Sequence, residues 1–177
     1  MGSKLMTLAF LFVFLNPTFA QWRKKNKSTT NVESKSLNYQ EIGAPLPEIK
    51  FYSKEGKYLT QKDLESEGNL LIMLFNPTCD HCEDQTILFR DNIFLFKKTK
   101  IVLVAGSMMK EHLEYFSNNT KISSYPSIQL SVDSCNYIEK VFQYKTLPQL
   151  NFYDKNRKLT RIFSGSTPLD SLKQYID

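Results

Sequence analysis

Glycine and proline are scarce in this chain, six and seven among 177 residues, which excludes collagen-like and low-complexity classes. With 41% apolar and 23% charged residues it is too apolar to be wholly disordered. A surplus of one charge sign is also lacking where it would matter. The formal charge is +5, but Lys4 carries one unit, and residues 21–40 carry a net four through Arg23, Lys24, Lys25, Lys27 and Lys35 against Glu33. From Glu41 onward the charges balance. No basic face for a phosphate backbone follows, and nucleic acid is not an expected partner. No internal repeat is present. What the chain does hold is aromatic: thirteen Phe and nine Tyr supply a packed core, and the length fits one domain with a short appendage.

Met1 to Lys4 make a short positive start, and Leu5 to Leu15 form an uncharged apolar run. Asn16-Pro17 breaks it, and Thr18-Phe19-Ala20 ends on a small residue. That order is the n-, h- and c-region order of a secretory signal peptide, with cleavage expected after Ala20. The run is shorter than the ~20 apolar residues that span a bilayer. No cysteine lies near the cleavage point to carry a lipid, and no second long apolar run follows. The expected location is therefore periplasmic or otherwise exported, with the cleaved chain soluble. Residues 21–40 are polar, lysine-rich and without apolar period, which predicts a disordered basic leader. A solvated tether is the simpler reading of that leader than contact with an anionic membrane.

The domain is expected over 41–177. Ile49 and Phe51, then Tyr58-Leu59 after the turn at Glu55-Gly56, predict an N-terminal hairpin, with one or two helical turns over Gln61–Glu67. Leu70–Phe75 and Lys100–Ala105 read as strands buried on both faces. Between them Thr78 is the expected N-cap of a helix from about Cys79 to Phe96. A second helix is predicted over Met108–Phe116, a loop over 118–127, a strand around Ile128–Val132, and a short helix through Val141 capped by Asp133 or Ser134. Strands at Gln149–Tyr153 and Lys158–Phe163 flank the turn Asp154–Arg157, and a helix closes the chain over Pro168–Ile176. Buried strands alternating with helices define an α/β domain with a mixed sheet.

Beyond the signal segment there are three cysteines, Cys79, Cys82 and Cys135. Cys79-Asp80-His81-Cys82 is a C-x-x-C placed where a buried strand turns into a helix. Backbone N–H groups and the dipole at a helix start stabilise a thiolate there. Such sites bring a cysteine pKa from about 8.5 into roughly 3.5–7.5. The offset of three residues places Cys82 one turn along, close enough to resolve a mixed disulfide formed at Cys79. His81 adds a positive charge or donor beside the sulfurs, and Asp80 acts in the opposite sense. Zinc would need a second ligand pair, and neither a second C-x-x-C nor H-x₃₋₅-H occurs. A structural disulfide across one helical turn closes too short a loop to stabilise much.

With these residues in place, the chain resembles the thioredoxin-like superfamily, and within it the exported TlpA/ResA-like thiol-disulfide oxidoreductases. The carriers are Gly43-x-Pro-x-Pro47, Leu70–Phe75 running into Cys79-Asp-His-Cys82, and Thr146-Leu-Pro148 followed by Gln149–Asp154. The resemblance covers most of 43–177. It implies an α/β thioredoxin-like fold, a central mixed β-sheet flanked by helices, with an extra N-terminal hairpin and a central helix-strand insertion. It also implies that Pro148 is cis and faces the redox pair, and that the backbone of Leu147 pairs with an extended substrate. Three departures stand out. Thr78 replaces the Trp common before the first cysteine, while Gln85 and Ile87 stand where Glu and Pro are common.

The expected function is thus disulfide exchange with cysteine-containing exported proteins or a partner redox protein, using Cys79, Cys82 and His81 and no cofactor. The scaffold leans reducing and the His before the second cysteine leans oxidising. A copper-binding module built from Cys79, Cys82 and His112 is the alternative, and it requires those three to converge. A peroxidase is set aside, since Asn76 stands where a Thr would be needed. Cys135 reads equally as a buried free thiol or a third redox cysteine.

Overall fold

The two uninterrupted apolar runs become the centre of the sheet because both of their faces are covered. In the computed structural model, which describes Gly2, residues 37–134 and residues 136–176, β3 (Leu70–Phe75) is buried along its whole length. It pairs in parallel with β4 (Lys100–Ala105), Leu70 opposite Lys100 through to Phe75 opposite Ala105. Side chains alternate across the pleat. Leu71, Met73 and Phe75 join one apolar cluster with Phe89, Phe116 and Leu172, while Leu70, Ile72 and Leu74 join another with Leu46, Leu64, Ile138 and Phe142. The signal segment, most of the leader and Cys135 lie outside the described residues.

The remaining strands are β1 (Phe51–Ser53), β2 (Tyr58–Leu59), β5 (Ile128–Asp133), β6 (Gln149–Tyr153) and β7 (Leu159–Ser164), in the sheet order β2-β1-β5-β4-β3-β6-β7. β3, β4 and β5 run parallel, while β1, β6 and β7 pair antiparallel with their neighbours. This is the expected mixed sheet, with β1 and β2 as the N-terminal hairpin. The inserted helix and strand, α2 (Leu113–Thr120) and β5, add to the β4 side.

Helix boundaries depart from the sequence expectation. The first helix, α1, runs only over Asp80–Asp91, and Ile93–Leu95 forms a separate 3-10 turn. Its N-cap is Cys79, not Thr78; Thr78 instead donates its N–H and Oγ1 to Asn76 Oδ1, at 2.9 and 3.0 Å. A local Asx turn therefore takes the hydroxyl that would have capped the helix. Ser107–His112 is a 3-10 turn ahead of α2, which extends to Thr120 into the expected loop. Ile122–Ser124 in that loop forms another 3-10 turn. The short helix α3 is Tyr137–Phe142, and Asp133 Oδ2 accepts its Ile138 N–H at 3.0 Å. At the end, α4 (Leu169–Leu172) follows Pro168 as N-cap and passes into a 3-10 turn over Lys173–Tyr175. Upstream, Gln40 Nε2 donates to the Phe142 carbonyl at 2.6 Å.

Candidate functional site

Parallel strands bring their C-terminal ends to one edge, and the chemistry-bearing residues gather there. Asn76-Pro77-Thr78 leaves β3 and turns into α1, with the Cys79 N–H donating to Asn76 O at 3.1 Å. Cys79 takes extended angles (φ −105°, ψ 117°), while its carbonyl accepts from Cys82 N at 2.9 Å and Glu83 N at 3.1 Å. No side chain caps this helix start. Cys79 is half-buried, Cys82 is fully buried, and both are free thiols.

The two thiols differ in exposure and electrostatics. Burial pushes the Cys82 thiol up to about 12. A backbone hydrogen bond from Asn76 works in the other direction, while the Cys79 side chain and the charge of Glu83 add to the rise. A thiol without water around it holds its proton because the thiolate has lost its solvation. Glu83 is half-buried, accepts weakly from Asn119 Nδ2 at 3.4 Å, and acts on Cys82. Asp84 and His81 are exposed.

The Leu147–Pro148 peptide bond is cis, and Pro148 is buried. Register places it: Gln149 lies opposite Leu74, so Pro148 comes alongside the end of β3, where the Asn76–Cys79 turn begins. Leu147 and Cys79 pack against the same apolar cluster. Leu147, Pro148, Cys79 and Cys82 thus lie at one end of the sheet.

His112 does not join them in a metal site. It ends the 3-10 turn beyond β4, half-exposed, its Nε2 3.8 Å from Glu111 Oε1. Among the described residues no group of three or more His, Cys, Asp or Glu side chains could hold a metal ion, so the convergence the copper reading requires is not found. Nor is any helix among them long and apolar enough to cross a membrane.

Residues to which the sequence reading gave no site role also shape this region. Asn76 holds the turn before Cys79, and an Asn two residues before a Thr at a strand end was the available signal. Gln85, 2% exposed, accepts Thr167 N at 2.6 Å. Ser107 Oγ donates to Asn136 Oδ1 at 2.6 Å, tying the loops after β4 and β5. Nothing local in the sequence signals those last two contacts.

A scan against protein-family profiles and a search of the curated proteins return no match. Solved structures do match. The thioredoxin domain of a thiol-disulfide oxidoreductase from Bacteroides vulgatus superposes with a TM-score of 0.60 at 18% identity, over 76% of this chain and 94% of that one. MTB DsbF gives 0.60 at 14% identity over 78% and 94%. A secreted Mycobacterium tuberculosis disulfide oxidoreductase homologous to E. coli DsbE gives 0.58 at 13% identity over 72% and 93%. The fold is therefore thioredoxin-like, the fold class of these thiol-disulfide oxidoreductases.

Proposed function

We propose that the chain is an exported thiol-disulfide oxidoreductase acting on cysteine-containing exported proteins or a partner redox protein. The observation that carries this reading is the asymmetry of the pair: Cys79 half-buried at an uncapped helix start, Cys82 fully buried in the first turn of the same helix. The thiolate of Cys79 attacks one sulfur of a substrate disulfide, forming a mixed disulfide and releasing the other sulfur as thiolate. Cys82 then gives up its proton and attacks Cys79 Sγ. The Cys79–Cys82 disulfide forms, the second substrate sulfur leaves, and two electrons have passed to the substrate. Run backward, the same steps oxidise a substrate dithiol. His81 tunes the pair from the exposed first turn, and Leu147 with Pro148 presents an extended substrate segment. Export rests on the n-, h- and c-region order of residues 1–20.

A redox titration of residues 21–177 in glutathione buffers, read by alkylation and mass, tests the reading. A reversible two-electron couple near about −270 mV marks a reductant, and one near about −120 mV a disulfide donor. Cys82→Ser is expected to abolish turnover and leave a trapped mixed disulfide at Cys79. The absence of any reversible Cys79–Cys82 couple overturns the proposal.

A further inference from the structure

Gln85 lies one turn past Cys82 on the buried face of α1, with Thr86 and Phe89. Its Oε1 accepts the Thr167 N–H at 2.6 Å, across 82 residues of chain. The amide orientation is dictated by that contact, because a reversed amide would set its NH₂ against a backbone donor. As a result Nε2 is buried with no partner among the described residues. An orphaned buried donor is unfavourable, because it has given up its bonds to water and gained none in return. Leucine would avoid that cost but leave Thr167 N unpaired, so the side chain is kept for the oxygen.

The loop that Gln85 holds is tied at its other end to the cis-proline. Gly165, in the left-handed region at φ +82°, donates its N–H to the Pro148 carbonyl at 2.8 Å. One short loop, Gly165–Thr167, therefore bridges the redox helix and the Leu147–Pro148 segment. A cleft of about 400 Å³, lined by Asp84, Gln85, Leu88, Ser166, Thr167 and Pro168, runs along the joint between loop and helix. With that cleft beside it, the hydrogen bond is a directional tie across the joint.

We propose that Gln85 is a positioning residue for protein substrates: by holding the Thr167 amide it sets the spacing between Cys79 and the Leu147–Pro148 backbone. This rests on the reading that Leu147–Pro148 presents the substrate. A small disulfide needs only the Cys79 sulfur, whereas an extended protein segment needs the sulfur and that backbone at the right separation.

Single-turnover oxidation of the prereduced chain separates the two demands, with insulin as the protein disulfide and hydroxyethyl disulfide as the small one. Gln85→Leu is expected to lower the insulin-to-hydroxyethyl-disulfide rate ratio about tenfold, through a higher half-saturating insulin concentration. Gln85→Glu, which keeps an oxygen for Thr167 N, is expected to recover most of it. Gly165→Ala strains the other end of the loop and should lower the same ratio, and it carries the test should Gln85→Leu not fold. An unchanged ratio in these variants overturns the inference while leaving the oxidoreductase reading intact. Wild-type oxidation by the small disulfide without oxidation by insulin overturns it as well. A wild-type chain inert to both probes sinks the oxidoreductase reading itself.

Discussion

The two ends of the sheet are held by different chemistry. At the end that carries the cysteine pair, four contacts are between neutral groups: Asn76 to Thr78, Ser107 to Asn136, Gln85 to Thr167, Gly165 to Pro148. At the opposite end cations do the joining. The Arg157 guanidinium donates to the carbonyls of Leu64 at 2.6 and 3.0 Å, Gly68 at 3.0 Å and Asp154 at 3.1 Å, and to Ser66 Oγ at 3.0 Å. Lys100 Nζ donates to the Asp63 carbonyl, and Lys98 pairs with Glu67 at 2.9 Å. Formal charge placed beside a thiol shifts its pKa, and charge placed a sheet length away is screened before it reaches the sulfurs. The arrangement lets the far end be clamped firmly while the thiols answer to their own burial, to Asn76 and to Glu83.

Three changes break or sharpen this contrast. Arg157→Ala should be the largest, costing about 3 kcal/mol in urea unfolding because three part-buried carbonyls lose a charged donor together. The Cys79–Cys82 potential should not move. Arg157→Lys should recover less than half of the loss, since a point charge cannot reproduce the fork.

Next in size is a pH effect confined to the end that carries the cysteine pair. The folded pKa of Cys82, about 12, lies above the ordinary value of 9.0, so folding favours its protonated form. That contribution is fully present below about pH 9 and is lost as pH rises from about 9 toward about 12. Urea unfolding of the reduced chain at pH 8 and pH 10 should show about 1 kcal/mol more loss in wild type than in Cys82→Ala. Equal losses would mean that burial does not hold the proton on Cys82.

The smallest change is Asn76→Ala, which frees Thr78 and should cost about 1 kcal/mol of stability. Its diagnostic signature is faster alkylation of Cys79 relative to the unfolded chain. Unaltered Cys79 reactivity would show that the turn is held by Pro77 and the backbone alone.

Legibility in the sequence followed the range of the interaction. Leu70–Phe75 and Lys100–Ala105 announce themselves because a strand covered on both faces is apolar at every position. The C-x-x-C at the strand-to-helix junction is a local pattern too, as is the turn Asp154–Arg157, where Asp154 Oδ1 accepts from Asn156 N and Lys158 N at 2.8 and 2.9 Å. Helix ends were less legible. Thr78 reads as a cap, but its hydroxyl donates to Asn76 Oδ1, two residues earlier, instead. The long helix expected through Phe96 breaks after Asp91, where Asn92 leaves helical angles (φ −116°, ψ 22°).

By itself, then, the sequence determined which segments are strands, where the cysteine pair sits on the chain, and which turns connect them, since these depend on side-chain periodicity and local hydrogen bonding. Tertiary structure alone decided that Cys82 is sealed from water while Cys79 is not. It also decided that Gln85 meets Thr167, and that Arg157 reaches Leu64 across 93 residues. Burial and long-range pairing are properties of what packs against a residue, and only the assembled sheet with its covered faces specifies that neighbour.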